Sequence, residues 1–176
     1  MDYKDGVEFQ VFKNPPNCEQ IFLDNEDLQA ATSLLQDFVE IIRERSVLFK
    51  SESVKDIAKY NEKNPQNRIP RVLLVIDEVH RLFSGSWSEK EHFSKLLKQV
   101  VRQGRSFGVY IILSTQTLTG TDIDKELMSK ITLRMTFGLT SQSDAEKILA
   151  YGNLAPLKLN RFELIYNPQS GIKDAN

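Results

Sequence analysis

Residues Arg71-Val72-Leu73-Leu74-Val75-Ile76-Asp77-Glu78 constrain the fold more than any other stretch of the chain. Five apolar residues, three of them β-branched, run without interruption after Pro70 and end in two carboxylates. A continuous apolar run of this length predicts a strand buried on both faces. Such strands lie centrally in parallel sheets flanked by helices. The acids then fall at the strand's C-terminal end, where open α/β sheets bind ligands. Two adjacent carboxylates are costly to bury there unless they serve a cation or a reacting water. The plainer alternative is a strand that ends in solvated acids at a loop.

At 176 residues the chain is one domain's worth of material. An apolar content of 40% and a charged content of 27% are those of a soluble globular protein, which fits a cytoplasmic setting. No stretch reads as a signal peptide or a membrane span, so no direct membrane contact by these residues is expected. One cysteine, Cys18, excludes an intramolecular disulfide framework and fits a reducing compartment. With only two scattered histidines beside it, Cys18 makes no convincing catalytic triad. The net charge of −1 argues against a uniformly basic nucleic-acid binder but leaves room for a local basic strip.

Before the central strand, Val7 to Phe12 alternates as a strand does, so the chain opens in mid-strand, as if inside a domain. Asn14-Pro15-Pro16-Asn17 breaks that structure. From Asn25 to Lys50 the pattern is helical. Leu28, Ala31, Leu35, Phe38, Ile42 and Leu48 recur at steps of three and four or more, with Asp24 or Asn25 as the expected N-cap. Ser53 and Asp56 form a near capping box that opens a short helix to Tyr60. Asn61 to Pro70 reads as a loop.

After the strand, Ser88 and Glu91 form a capping box. The helix it opens buries Phe93, Leu96, Leu97, Val100 and Val101, turns Lys95, Lys98 and Arg102 elsewhere, and ends at Gly104. Val109 to Leu113 is a second apolar run, ending in Ser114-Thr115-Gln116. Strand, helix, strand in this order predicts a βαβ unit. Gln116 then arrives at the same sheet edge as Asp77 and Glu78. Further on, Thr121 to Ser129 is a helix candidate. Ile131, Leu133, Met135 and Phe137 alternate with polar Thr132, Arg134 and Thr136 in a half-buried strand. Ser143 and Glu146 cap another helix, to Leu149. Arg161 to Tyr166 is a last strand, and residues 168–176 are expected to fray.

Taken together, these segments resemble the motor domain of FtsK/SpoIIIE-type DNA translocases. Asp2-Tyr3-Lys4 with Gly6-Val7-Glu8 resembles the strand that follows the family's P-loop helix. Glu44 to Phe49 resembles the end of its long helix, and Tyr60-Asn61 the short motif beyond. Arg71 to Leu82 resembles its Walker B strand and the following turn. Gln103-Gly104-Arg105-Ser106-Phe107-Gly108, continuing through Val109 to Gln116, is the most specific match. The resemblance implies a RecA-like α/β fold, a mostly parallel sheet flanked by helices. It implies a ring, usually hexameric, in which neighbouring subunits together hydrolyse ATP and pump double-stranded DNA. Asp77 carries over as the Mg²⁺ residue, acting through water. Glu78 carries over as the base that polarises the attacking water, and Gln116 as the sensor of the phosphate. Arg105 stands at a family arginine. A cation from the adjacent subunit contributes on the order of 10³–10⁵ in rate in such enzymes. Arg102, Arg105 and Lys130 are the candidates.

Two departures qualify the resemblance. No G-x-x-x-x-G-K-[ST] loop occurs in the 176 residues, so nothing in them cradles the β- and γ-phosphates. The expectation is one incomplete P-loop NTPase domain over 1–176, the C-terminal portion of a motor, which alone neither holds ATP tightly nor hydrolyses it. The second departure is Val109-Tyr110 where these translocases often carry Ile-His; an aromatic can also pack there. Three alternatives remain. Asp77-Glu78-Val79-His80 also spells the DExH box of helicases. Type VII secretion ATPases resemble the same motor and move protein. A non-catalytic binding module would lack the P-loop by nature.

Overall fold

The computed structural model describes residues 12, 14–19, 28–83, 86–118 and 123–176. Residues 7–11 of the expected strand at Val7 to Phe12, and the N-cap at Asp24 or Asn25, lie outside these. The contacts divide the chain into two compact units, residues 1–115 and 116–176.

The first unit holds helices α1 (Leu28–Ser51), α2 (Ile57–Lys63) and α3 (Trp87–Gln103) with strands β1 (Val72–Ile76) and β2 (Val109–Leu113). The order β1, α3, β2 is the expected βαβ unit, and the strands pair in parallel, Val72 against Val109 through Ile76 against Leu113. Helix α1 buries Ala31, Leu35, Phe38, Ile42 and Phe49, the spacing of one helical face, and packs on α3. Helix α3 buries Phe93, Leu96, Leu97 and Val100 in the same way. A second cluster gathers Phe49, Ile57 and Tyr60 with Leu48, Val54, Ile69 and Phe107. In it the Phe49 ring stacks on Tyr60 at 5.4 Å and on Phe107 at 5.5 Å between centroids.

Burial of β1 on both faces is not what the described residues show. Leu74 and Ile76 are buried, but Leu73 is 56% exposed. On β2, Tyr110 and Ile112 are also exposed, so Tyr110 does not pack as expected. Leu73 pairs with Tyr110, and the uncovered positions form one side of the sheet. An apolar run fixes the strand but not which of its faces is covered.

The second unit holds helices α4 (Lys125–Lys130) and α5 (Gln142–Ile148) with strands β3 (Arg134–Phe137) and β4 (Leu164–Asn167), which pair antiparallel. The expected alternation is present with its faces reversed. Arg134 is buried, while Leu133, Met135 and Phe137 are exposed. The 168–176 segment is tied down rather than frayed. Asn167 Nδ2 and Asn153 Nδ2 both donate to Asn176 Oδ1, at 2.9 and 3.0 Å, and Gly171 N–H donates to Asn167 Oδ1 at 2.8 Å.

Candidate active site

The parallel register brings the ends of β1 and β2 together. Because Ile76 pairs with Leu113, the residues that follow each strand meet side by side. Ser114 N–H donates to Ile76 O at 2.9 Å, and Val79 N–H returns to Ser114 O at 3.0 Å. The Ser114 hydroxyl donates to Asp77 Oδ1. Glu78 follows with φ of 50°, a left-handed conformation rare for a residue with a side chain. Outliers of this kind cost about 1–3 kcal/mol and persist where the surroundings over-determine them, most often at functional sites. Glu78 is 4% exposed. His80, in the 3-10 turn Val79–Phe83, places Nδ1 3.2 Å from Glu78 Oε2 and 3.0 Å from Thr115 Oγ1.

Asp77 and Glu78 thus stand at the C-terminal edge of the parallel pair, as expected. Ser114, Thr115 and His80 join them there; of the three, only His80 was singled out from sequence, and then only through the DExH alternative. The pairing register of β1 with β2 is the signal that would have found them, and the apolar runs alone leave it undetermined. The oxygens of Asp77, Glu78 and Ser114 are hard donors of the kind Mg²⁺ takes. Among the described residues no three His, Cys, Asp or Glu side chains gather into a metal cage.

Gln116 follows Thr115 directly, is exposed, and opens the second unit. Within the first unit, Arg102 and Arg105 are not gathered with the acids. Arg102 lies in the last turn of α3 and Arg105 in the following 3-10 turn, Gly104–Phe107, both exposed. This turn leads into the start of β2, and Val72 N–H donates to Gly108 O at 2.9 Å. Arg105 is therefore at the N-terminal edge of the strands, five paired residues from Asp77, or about 16 Å at ~3.3 Å per residue. It cannot serve as a catalytic residue at the Asp77–Glu78 edge of its own subunit. Lys130 ends α4 in the second unit and is exposed.

The Arg105 turn is held from α1. Arg45 Nη1 donates to Phe107 O at 2.6 Å, and burial pushes the Arg45 guanidinium below its ordinary range. Gly104 is helical, not left-handed as a C-cap glycine usually is; a Cβ there would lie 2.6 Å from Val109 O. The left-handed residue is Gly108, with φ of 72°. Its missing Cβ leaves room for Ile57 Cδ1, which would stand 2.2 Å away.

The FtsK/SpoIIIE family model matches residues 1–151. The chain belongs to the FtsK/SpoIIIE family. Relatives include the DNA translocase FtsK of Caldanaerobacter subterraneus subsp. tengcongensis, 28% identical over 167 residues, covering 95% of this chain and 23% of that protein. The ESX secretion system protein EccC of Geobacillus thermodenitrificans is 30% identical over 166 residues, covering 89% of this chain and 11% of its own. The chain thus spans under a quarter of the length of these relatives. Two solved structures superpose with a TM-score of 0.70 at 21% identity. One is the pCW3 conjugation coupling protein TcpA with ATPγS, over 85% of this chain and 42% of that one. The other is the cytoplasmic domain of the type VII secretion ATPase EccC of Thermomonospora curvata, over 94% and 20%. The fold is the RecA-like α/β fold of these ATPases. Family membership sets aside the DExH-helicase alternative, and His80 belongs to the turn after β1. Among the described residues no helix is long and apolar enough to cross a membrane.

Proposed function

We propose that the chain is part of an ATP-driven motor that translocates double-stranded DNA within a ring, in the parent a hexamer. The observation that carries this reading is the pair Asp77 and Glu78 at the C-terminal edge of a parallel strand pair, inside an FtsK/SpoIIIE match. Mg²⁺, when bound with ATP, supplies charge neutralisation at the phosphate oxygens. Asp77, oriented by the Ser114 hydroxyl, would hold that ion through water. Glu78 would take the proton of the attacking water. Gln116, one residue beyond the end of the site, would report the state of the phosphate to the second unit. A cation from the neighbouring subunit, Arg102, Arg105 or Lys130, would meet the transferring phosphoryl group. These residues contain no phosphate-cradling loop, so they supply the Walker B and sensor half of the chemistry.

The test is ATP hydrolysis by the protein at its full natural length, with and without linear duplex DNA. DNA-stimulated hydrolysis is expected, falling about 10²–10⁴-fold in Glu78→Gln, the usual contribution of a general base. Hydrolysis indifferent to DNA would favour a protein cargo, the reading that the EccC relatives support. No hydrolysis in any condition would make the domain a binding module.

A further inference from the structure

The end of β1 carries one more side chain in contact with the acid pair. His80 Nδ1 stands within hydrogen-bond range of two oxygens, Glu78 Oε2 at 3.2 Å and Thr115 Oγ1 at 3.0 Å. In the tautomer that carries its hydrogen on Nδ1, His80 can donate to Glu78 Oε2. The Thr115 hydroxyl oxygen lies against the same nitrogen. The backbone on both sides of His80 is held in place. Val79 N–H is pinned to Ser114 O at 3.0 Å, and Arg81 N–H to Glu78 O at 3.0 Å. Both neighbours of His80 are therefore tied, one to the end of β2 and one to Glu78 itself.

A general base must hold its reacting oxygen in a productive geometry, and small displacements are expensive in rate. The rotamer freedom of a glutamate side chain works against this. We infer that His80 is a positioning residue: through Nδ1–H it fixes the Glu78 carboxylate and couples it to Thr115, the residue before Gln116. Base and sensor-bearing strand end then move as one unit. This inference rests on Glu78 being the base proposed above and deepens that reading.

The experiment measures kcat and KM for ATP, with Mg²⁺ and duplex DNA, on full-length protein carrying His80→Ala, His80→Asn, Thr115→Val or Glu78→Gln. His80→Ala should lower kcat about tenfold or more with KM within about twofold, the signature of an interaction that matters after binding. His80→Asn, whose amide nitrogen stands close to the place of Nδ1, should recover most of the loss. Thr115→Val should lower kcat less, and it keeps the proposal testable should His80→Ala fail to fold. Wild-type kcat in His80→Ala would overturn the inference. So would equal losses in His80→Ala and His80→Asn tracked by equal falls in melting temperature, because the role would then be structural. If His80→Ala does not fold, wild-type kcat in Thr115→Val overturns it. If Glu78→Gln abolishes hydrolysis while His80→Ala leaves it intact, only this inference fails. If Glu78→Gln leaves hydrolysis intact, or the wild type shows none, the reading of the site fails and takes the inference with it.

Discussion

Arg134 shows how far one side chain can depart from its sequence pattern. Flanked by Leu133 and Met135 it reads as a solvent-facing residue of an alternating strand. It is 8% exposed, and its guanidinium points at the ends of two helices. Nε donates to Ile131 O at 3.0 Å, Nη2 to Met128 O at 2.6 Å, and Nη1 to Ile148 O at 3.3 Å and to Leu149 O. These carbonyls follow or close α4 and α5, where helices leave acceptors without intrahelical partners and favour a cation. One planar fork satisfies both termini, which outweighs the pull of the alternation. Arg134→Leu would strip several buried carbonyls of their donor, at about 1–3 kcal/mol each. Urea unfolding should therefore register a loss of about 3 kcal/mol or more. Arg134→Lys should recover only part of it, since an ammonium cannot reach in the directions of a guanidinium fork.

Among the elements, helix starts were the least legible part of the sequence. Three caps sit at residues other than those expected. Asp56, not Ser53, caps α2, accepting from Lys59 N–H at 2.9 Å. Ser141, not Ser143, caps α5. Helix α3 begins after Ser86, whose N–H donates to Glu89 Oε2 at 3.0 Å, so the box is Ser86–Glu89 and not Ser88–Glu91. The short polar runs before these helices offer overlapping cap spacings, and local chemistry alone does not choose among them. The hydrogen bonds from the Ser86 hydroxyl and backbone hold the Glu89 carboxyl below its ordinary value of 4.5. Its folded value is depressed, so its contribution is complete above the ordinary value and is lost as pH falls through the folded one. Stability measured from pH 6 down to pH 3 should accordingly fall less steeply in Glu89→Gln than in wild type. By contrast the helical faces of α1 and α3, and the strands β1 and β2, were legible, because a period or an unbroken apolar run is a property of the segment itself. Exposure of Leu73 and Tyr110 was not, since it depends on what lies over the sheet. The meeting of Ser114 with Asp77 was hidden for a similar reason: it requires the register.

At the scale of the whole molecule, the parallel pair separates the acids from the turn that carries Arg105. Asp77 and Glu78 leave the C-terminal end of β1, while Arg105 precedes the N-terminal end of β2. Roughly 16 Å of strand lies between them, too far for one arginine to span. If Arg105 assists phosphoryl transfer, it does so at the site of another copy, which the proposed ring supplies. A heterologous interface puts different surfaces of two copies together, so each site would take its acids from one subunit and its cation from the next. Complementation reads this directly. Glu78→Gln and Arg105→Ala should each be inactive in a homogeneous ring, the second by on the order of 10³-fold or more. Mixed in equal amounts before assembly, they should recover about a quarter of the wild-type sites, because each side of an interface is intact with a chance of about one-half. Arg102→Ala and Lys130→Ala, run in the same way, identify the contributing cation among the three. Hydrolysis that no mixture restores, with Arg105→Ala active on its own, would remove Arg105 from the site altogether and leave the Gly104–Phe107 turn, held by Arg45, a structural link into β2.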